Sequence, residues 1–148
     1  MMNQGCCLCG GVKISTTEQV HDVTACHCGM CQTWGGGPFM AVECKGTAIA
    51  IDGEENIVRW QSSAWAERAF CRICGTHLFY QLRDSDIYEI PAGFFSDEAN
   101  KTLVSQIYID KKPGYYSFAE KTPTLTEQDI IALYSSHPEE EKGSQRCP

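Results

Sequence analysis

Cys7-Leu8-Cys9, Cys26-His27-Cys28-Gly29-Met30-Cys31 and Cys71-Arg72-Ile73-Cys74 are the stretches of sequence that decide how this chain folds. Together they contain seven of its ten cysteines. Two thiolates one or three positions apart on a tight turn reach one ion without a change in the backbone, and zinc sites in proteins are built in this way. The three clusters therefore predict metal binding.

The number of cysteines in each cluster predicts what kind of site it forms. The first and third clusters supply two sulfurs each, which together make the closed tetrahedral set of a structural zinc that joins distant segments. The middle cluster supplies three sulfurs, and three protein ligands leave a fourth position for water or substrate. We therefore predict two Zn²⁺ per chain, a structural ion on Cys7, Cys9, Cys71 and Cys74 and a catalytic ion on Cys26, Cys28 and Cys31.

Disulfides are the alternative for these cysteines. Residues 1–5 have neither the basic region nor the apolar core of a signal peptide, and no stretch approaches the ~20 apolar residues of a membrane span. We therefore expect a cytoplasmic protein without membrane association, whose thiols stay reduced.

Three cysteines lie outside the clusters. Cys6 is adjacent to Cys7, but the C-x-C spacing with Cys9 favours Cys7 as the ligand. Cys44 ends an apolar stretch of strand type and is predicted to be an ordinary buried thiol, and Cys147 lies in a polar tail. We assign no role to these three.

The 148 residues fit a single domain, and the net charge of -7 argues against nucleic acid as a partner. Short segments rich in branched and aromatic residues predict a mainly β domain. The segments are 13–15, 39–43, 47–51, 57–61, 77–82, 87–90 and 106–110. One short C-terminal helix is predicted over 124–134, with Thr124 and Glu127 as a capping box. We place the domain at residues 1–137 and a polar tail at 138–148.

The three motifs, in this order, resemble those of the glutathione-dependent formaldehyde-activating enzyme family, which is also named for its centromere-protein-V members. The matching stretches are residues 5–12, 26–31 and 68–79, and the resemblance extends from about Gly5 to Tyr116. It implies a zinc-stapled β-tent (Mss4-like) fold and the same division of the seven cysteines into a structural and a catalytic zinc. It also implies a carbon-sulfur lyase reaction that joins glutathione and formaldehyde as S-hydroxymethylglutathione.

An open site with three thiolates suits a sulfur ligand. Its net charge near -1 makes it a weaker activator of water than a zinc held by neutral histidines, whereas an entering thiol would be deprotonated and held as the nucleophilic thiolate. We therefore expect the catalytic zinc to deliver a small-molecule thiol to an aldehyde.

Neighbouring residues have weaker indications. The Gly35–Gly37 run is interpreted as a tight turn or, less favoured, as an anion-binding nest, and Trp34 as core or pocket wall. His27 lies between two ligands, and we expect it to support the site or lie at the surface because adjacent residues rarely turn toward one ion. His77 is interpreted as a strand residue near the structural zinc. The arginines 59, 68 and 72 are expected to pair with acidic residues at the surface.

Two positions depart from the family pattern. Gln106 stands where a histidine is common, and Tyr115 stands where an aromatic residue is often tryptophan. The family hypothesis is an enzyme that adds a thiol to a small aldehyde. The alternative is a non-catalytic zinc module that binds a protein partner, with its middle cluster completed by Cys44 or His27.

Overall fold

The computed structural model describes residues 3–96 and 100–134. These ranges contain eleven strands and two α-helices. The strands are β1 (Asn3–Cys6), β2 (Lys13–Thr16), β3 (Asp22–Cys26), β4 (Phe39–Lys45), β5 (Ile49–Asp52), β6 (Ile57–Gln61), β7 (Ala66–Cys71), β8 (His77–Leu82), β9 (Ile87–Pro91), β10 (Thr102–Ile107) and β11 (Thr124–Leu125). The helices are α1 (Gly29–Gly35) and α2 (Glu127–Leu133). The mainly β fold and its short C-terminal helix are confirmed.

The strands form a small sheet and a large one. The small sheet has the order β1-β2-β5, and the large sheet has the order β11-β10-β3-β4-β9-β8-β7-β6. All pairs are antiparallel except β3 with β10 and β10 with β11, which are parallel. No helix within the described ranges has the length and apolar character needed to cross a membrane.

The hydrophobic core lies between the two sheets. Because side chains alternate along a strand, every second residue of the large sheet faces the small one. Ile14 of the small sheet belongs to the same buried cluster as Val42, Phe79 and Ile90 of the large sheet, and all four are almost completely buried. Apolar area removed from water stabilises the sandwich by roughly 25 cal/mol per Å².

The opposite face of the large sheet is polar. Cross-strand pairing places Arg68 beside Tyr80, Tyr80 beside Glu89 and Glu89 beside Glu43 across four neighbouring strands. Cys26 is on the same face. It pairs with Phe39, which lies four residues before Glu43 on β4 and therefore points to the same side of the sheet. The two faces of one sheet therefore differ in chemistry.

Several predicted boundaries were wrong. The strand expected at 106–110 is β10 at Thr102–Ile107, and the chain leaves the sheet where Tyr108 adopts a positive φ of 54°. Residues Gly46–Ala48 form a 3₁₀ turn before β5 rather than part of the strand.

The C-terminal helix has a different cap from the predicted one. Thr126 is the N-cap and exchanges hydrogen bonds with Asp129, whereas Thr124 lies in β11. The predicted polar tail at 138–148 lies outside the described residues.

Candidate metal centres

The first candidate centre joins the two sheets and consists of Cys7, Cys9, Cys71 and Cys74, which are called the first cluster from here on. Cys7 and Cys9 lie in the turn between β1 and β2 of the small sheet, whereas Cys71 and Cys74 lie in the turn between β7 and β8 of the large sheet. The four sulfurs all lie within 4.8 Å of one another. Sγ of Cys9 is 3.5 Å from that of Cys7 and 3.7 Å from that of Cys71.

Both turns use a glycine with positive φ. Gly10 and Gly75 each have φ of 77°, a conformation that L side chains rarely adopt. The N–H of Gly10 donates to the carbonyl of Cys7, and the N–H of Gly75 donates to that of Cys71. The two turns differ in length, since the hydrogen bond spans three residues in the first and four in the second, but each directs two sulfurs to one point.

The sulfurs of this cluster receive hydrogen bonds from nearby groups of the turns. The N–H of Val12 donates to Sγ of Cys7 at 3.3 Å, and the N–H of Gly11 donates to Sγ of Cys9 at 3.4 Å. The Thr76 hydroxyl is 3.1 Å from Sγ of Cys74. Hydrogen bonds from the Thr76 side chain and backbone lower the pKa of Cys74 to about 5. These hydrogen bonds favour the thiolate form of Cys74, whereas burial and the neighbouring thiols raise the pKa of Cys9 to about 12.

The middle candidate centre is built differently. Cys26 ends β3, Cys28 is the N-cap of α1, and Cys31 lies in the first turn of that helix. The N–H of Cys31 donates to Sγ of Cys28 at 3.4 Å, as the side chain of an N-cap residue accepts from the third helical N–H. The C-x-x-C spacing thus matches a helix start, and the three sulfurs converge within 4.8 Å.

One thiol of this cluster loses its proton first. Hydrogen bonds from the Cys26 and Cys31 thiols lower the pKa of Cys28 far below its ordinary range, and the positive charge of Arg68 adds to the effect. The pKa of Cys26 is raised, because Cys26 donates to the other two sulfurs and is buried. The pKa of Cys31 is also raised, so the surroundings favour the thiolate form at Cys28 over the other two cysteines.

Both clusters have the chemistry of metal sites. Four sulfurs bound to one zinc at about 2.3 Å are separated by about 3.8 Å in tetrahedral geometry, which is close to the distances around Cys9. No histidine, aspartate, glutamate or further cysteine of the described residues joins the three sulfurs of the middle cluster. The two clusters could bind metal ions with four and three protein ligands, respectively.

His27 is completely buried and turns away from the sulfurs between which it lies in sequence. Its Nε2 is 2.9 Å from Oε1 of Gln106, and its Nδ1 is 2.6 Å from the hydroxyl of Tyr116. Because the Gln106 oxygen only accepts, Nε2 carries the proton and Nδ1 accepts from Tyr116. The amide of Gln32 donates to Tyr116 at 2.9 Å. His27 is thus no ligand but fixes the loop that carries Cys26 and Cys28.

Gln106 and Tyr115, the two departures from the family pattern, have different surroundings. Gln106 is buried and holds His27, and its amide also donates to Thr122 at 3.2 Å. Tyr115 is 76% exposed and its ring lies against that of Tyr116.

Arg68 is a member of the middle site that the sequence interpretation missed. It is only 3% exposed, and its two terminal nitrogens lie 3.7 and 3.8 Å from Sγ of Cys31. Its guanidinium carbon lies 4.9 Å from the ring centroid of Trp34 and 5.1 Å from that of Tyr80. The expectation of a surface ion pair is wrong for Arg68, because its strand register turns it toward the sulfurs. It is right for Arg59, which meets Glu54 and Glu67.

Trp34 and His77 complete this side of the site. Their rings are stacked, with centroids 4.0 Å apart and an interplanar angle of 7°. Burial lowers the pKa of His77, and the charge of Arg68 lowers it further, so the stacked ring is neutral at physiological pH. His77 therefore packs on Trp34, the ring that also covers the guanidinium of Arg68.

The structure also decides between the open alternatives for nearby residues. Gly36 is the C-cap of α1 with φ of 83°, and its N–H donates to the carbonyl of Gln32. The glycine run thus ends a helix, as the tight-turn interpretation requires. Cys44 is completely buried on the core face of β4 and does not reach the middle cluster, whereas Cys6 is exposed on β1.

Comparisons with known proteins identify a family, a relative and a solved structure that this chain resembles. Residues 2–111 match the family model described as glutathione-dependent formaldehyde-activating enzyme. The chain is 34% identical over 129 residues to an uncharacterized lyase of Schizosaccharomyces pombe, with 86% of this chain and 93% of the relative covered. A crystal structure of a Rhodobacter sphaeroides protein superposes with a TM-score of 0.54 at 25% identity, covering 64% of this chain and 88% of that one.

The chain belongs to the glutathione-dependent formaldehyde-activating enzyme family. The matched region includes all seven clustered cysteines as well as Arg68 and Gln106.

Proposed function

We propose that this protein is a zinc-dependent carbon-sulfur lyase that adds a thiol to a small aldehyde and reverses that addition, with glutathione and formaldehyde as the substrates that its family indicates. The product is S-hydroxymethylglutathione or a related adduct. The division of roles is that Cys7, Cys9, Cys71 and Cys74 hold a structural Zn²⁺, and Cys26, Cys28 and Cys31 hold a catalytic Zn²⁺.

The observation that carries this proposal is the incomplete ligand set of the middle cluster. Three sulfurs converge there, and among the residues that the structure describes no fourth metal-binding side chain joins them. Three protein ligands with an open position are typical of catalytic zinc, whereas four are typical of structural zinc. The alternative of an internally completed site loses support, because His27 and Cys44 both point elsewhere.

The reaction is balanced without an oxidant or reductant. A thiol RSH and formaldehyde give RS–CH₂–OH: the sulfur lone pair forms the C–S bond, the C=O π pair moves to oxygen, and the thiol proton ends on that oxygen. Bound zinc supplies a position at which the thiol is held as its nucleophilic thiolate. The chain orients that position through β3 and α1.

The residues around the middle cluster keep the site in shape during this chemistry. The hydrogen-bonded chain from Gln32 through Tyr116 and His27 to Gln106 joins α1 to β10, and each donor in it has an acceptor. Such a network fixes the loop of Cys26 and Cys28 against the sheet. A preorganised site loses less entropy when a thiol and an aldehyde meet in it.

The test is sulfur coordination measured by zinc X-ray absorption on zinc-reconstituted protein, with and without glutathione. We expect the average sulfur number to rise when glutathione is added, and two-dimensional exchange NMR to show faster interconversion of free and thiol-bound formaldehyde than in buffer. Cys28→Ala should abolish both effects. Cys6→Ala, which also removes one cysteine but from an exposed site, is the matched control.

Two saturated zinc sites that ignore glutathione would exclude this mechanism and favour the non-catalytic module. Undiminished turnover in Cys28→Ala protein that contains a single zinc would exclude it as well.

A further inference from the structure

Arg68 is a buried cation with an unusual set of neighbours. Both terminal nitrogens contact Sγ of Cys31, Nε is buried without a hydrogen-bond partner, and two aromatic rings cover the guanidinium. None of the ion pairs formed by the described residues includes it. Its nearest negative partner is therefore the thiolate cluster itself.

Burial of a guanidinium requires a compensating negative charge. An unpaired buried charge is strongly unfavourable, and aromatic faces offset only part of that cost. A neutral thiol is a poor acceptor and would leave the cation almost uncompensated. The position of Arg68 is thus explained if the three-cysteine cluster that it contacts is negatively charged, as it must be when its sulfurs bind a metal.

The charge of the two clusters can be compared directly. A divalent ion with four thiolates has a net charge of -2, and the first cluster receives only neutral hydrogen-bond donors from its turns. A divalent ion with the three thiolates of the middle cluster has a net charge of -1, which Arg68 brings to zero. An incoming thiolate would then meet a neutral centre rather than an anionic one.

We infer that Arg68 is a positioning residue that makes the middle centre selective for anionic ligands, because its charge offsets that of Cys31 and lets a fourth thiolate bind. This inference rests on the proposed function and specifies the ligand class of the same open position. The effect is electrostatic and depends on the permanent charge of the guanidinium.

The experiment compares ligands of different charge on cobalt-substituted protein at one pH. Dissociation constants for 2-mercaptoethanol and azide, which bind as anions, and for imidazole, which binds as a neutral molecule, are read from the visible cobalt absorption. Arg68→Met should weaken both anions on the order of ten- to a hundredfold. Imidazole affinity should change by less than about threefold, since a neutral ligand gains little from the cation.

Two further variants separate charge from packing. Arg68→Lys keeps a positive charge without the planar fork and should recover most of the anion affinity. Arg59→Met is the matched control, because Arg59 also lies over an aromatic ring, that of Phe79, but on the opposite face of the sheet. If Arg68→Met does not retain metal, Arg68→Gln, which also lacks the charge but has a polar end, supplies the same comparison of ligand classes.

The outcomes are distinguishable from failure of the proposed function. Equal losses for imidazole and the anions, or no loss for either, would overturn the inference. A wild-type centre that takes azide but no thiol would refute the proposed function while the azide and imidazole constants still decide the role of Arg68. A wild-type centre that takes no fourth ligand would overturn both.

Discussion

The two cysteine clusters use the same side chain in different surroundings. The first lies where turns of the two sheets meet, with Cys7 and Cys71 in the buried core, Cys9 exposed, and hydrogen bonds from its own turns. The middle one lies on the opposite face of the large sheet, with a helix start and the cation of Arg68 beside it. The two clusters therefore have the same type of candidate ligand and differ in the number of sulfurs and in the neighbouring charge, which is the basis for proposing different roles for them.

The backbone differs between the clusters in a similar way. Two turns, each with a glycine of positive φ, make the first cluster, and they tie strands of both sheets together. The middle cluster lies within residues 26–31, so a metal bound there would not link the two sheets, and its removal should leave their contact intact. Variants and metal removal at the two clusters should therefore have different effects on stability.

The largest effect is expected from Cys71→Ser. Cys71 is completely buried and supplies one of four sulfurs that join the sheets, and structural zinc contributes its binding free energy to folding. We expect the free energy of unfolding to fall by about 3 kcal/mol or more. Thermal unfolding followed by circular dichroism measures this.

Cys28→Ser serves as the comparison for that variant. It removes a sulfur from the middle cluster and should cost far less stability. Equal melting temperatures for the two variants would contradict the assignment of the first cluster as structural.

Stepwise removal of metal should show the next largest difference, which is the chelator concentration at which each cluster loses its zinc. With three protein ligands, the middle centre should release zinc to a chelator at a concentration about tenfold or more below that needed for the first. Zinc content and melting temperature are measured together along the titration. We expect zinc to leave the middle centre before it leaves the first cluster, and this early loss should change the melting temperature little. Simultaneous loss of both ions would contradict this order.

Glu89, on the same face of the large sheet as the middle cluster, should make the stability of the protein depend on pH. Burial raises the pKa of Glu89 to about 7, and the charge of Glu43 opposite adds to the shift. Because the folded-state pKa lies above the unfolded value, the folded state favours the neutral acid, and stability falls as pH rises between about 4.5 and 7. At pH 8 the carboxylate should cost about 2–3 kcal/mol.

Glu89→Gln tests that effect, since the amide stays neutral at every pH. In urea unfolding the variant should match wild type near pH 4.5 and exceed it at pH 8 by about 2–3 kcal/mol. Glu55→Gln, at an exposed position, is the control. A difference between Glu89→Gln and wild type that does not change with pH would refute the account.

The smallest effect is expected from Thr76→Val. The Thr76 hydroxyl contacts Sγ of Cys74 and accepts from the N–H of Leu8, so its loss removes two hydrogen bonds at the first cluster. We expect about 1 kcal/mol of destabilisation by urea unfolding. Thr33→Val in α1, where the threonine is exposed, should change stability by less. A larger loss of stability in Thr33→Val than in Thr76→Val would contradict this prediction.

Prediction from sequence succeeded where the signal was local. The seven clustered cysteines converge into the two predicted sets because each set is made of pairs or triples only a few residues apart. Short runs of branched residues such as 57–61 and 77–82 became β6 and β8 with the predicted bounds. Local spacing and alternation are enough for such features.

The elements that sequence missed lack such a signal. Strands β3 and β7 end in cysteines of the candidate metal centres, so the cysteine motifs obscured their alternation, and β11 has only two residues. Helix α1 has seven residues with glycine at both ends, too short for a helical period to be visible. Its start at Cys28 could have been inferred from the C-x-x-C spacing and its end from Gly36.

The number of sulfurs that each short motif supplies is evident from the amino-acid sequence, because a spacing of two to three residues is a local property. The meeting of Cys7 and Cys9 with Cys71 and Cys74, and the charge around both candidate centres, depend on the tertiary structure. Arg68 reaches Cys31 across 37 positions, and His27 is held by Gln106 across 79. Which cation or acceptor meets a cluster depends on strand register and on the packing of α1, and no local pattern encodes either.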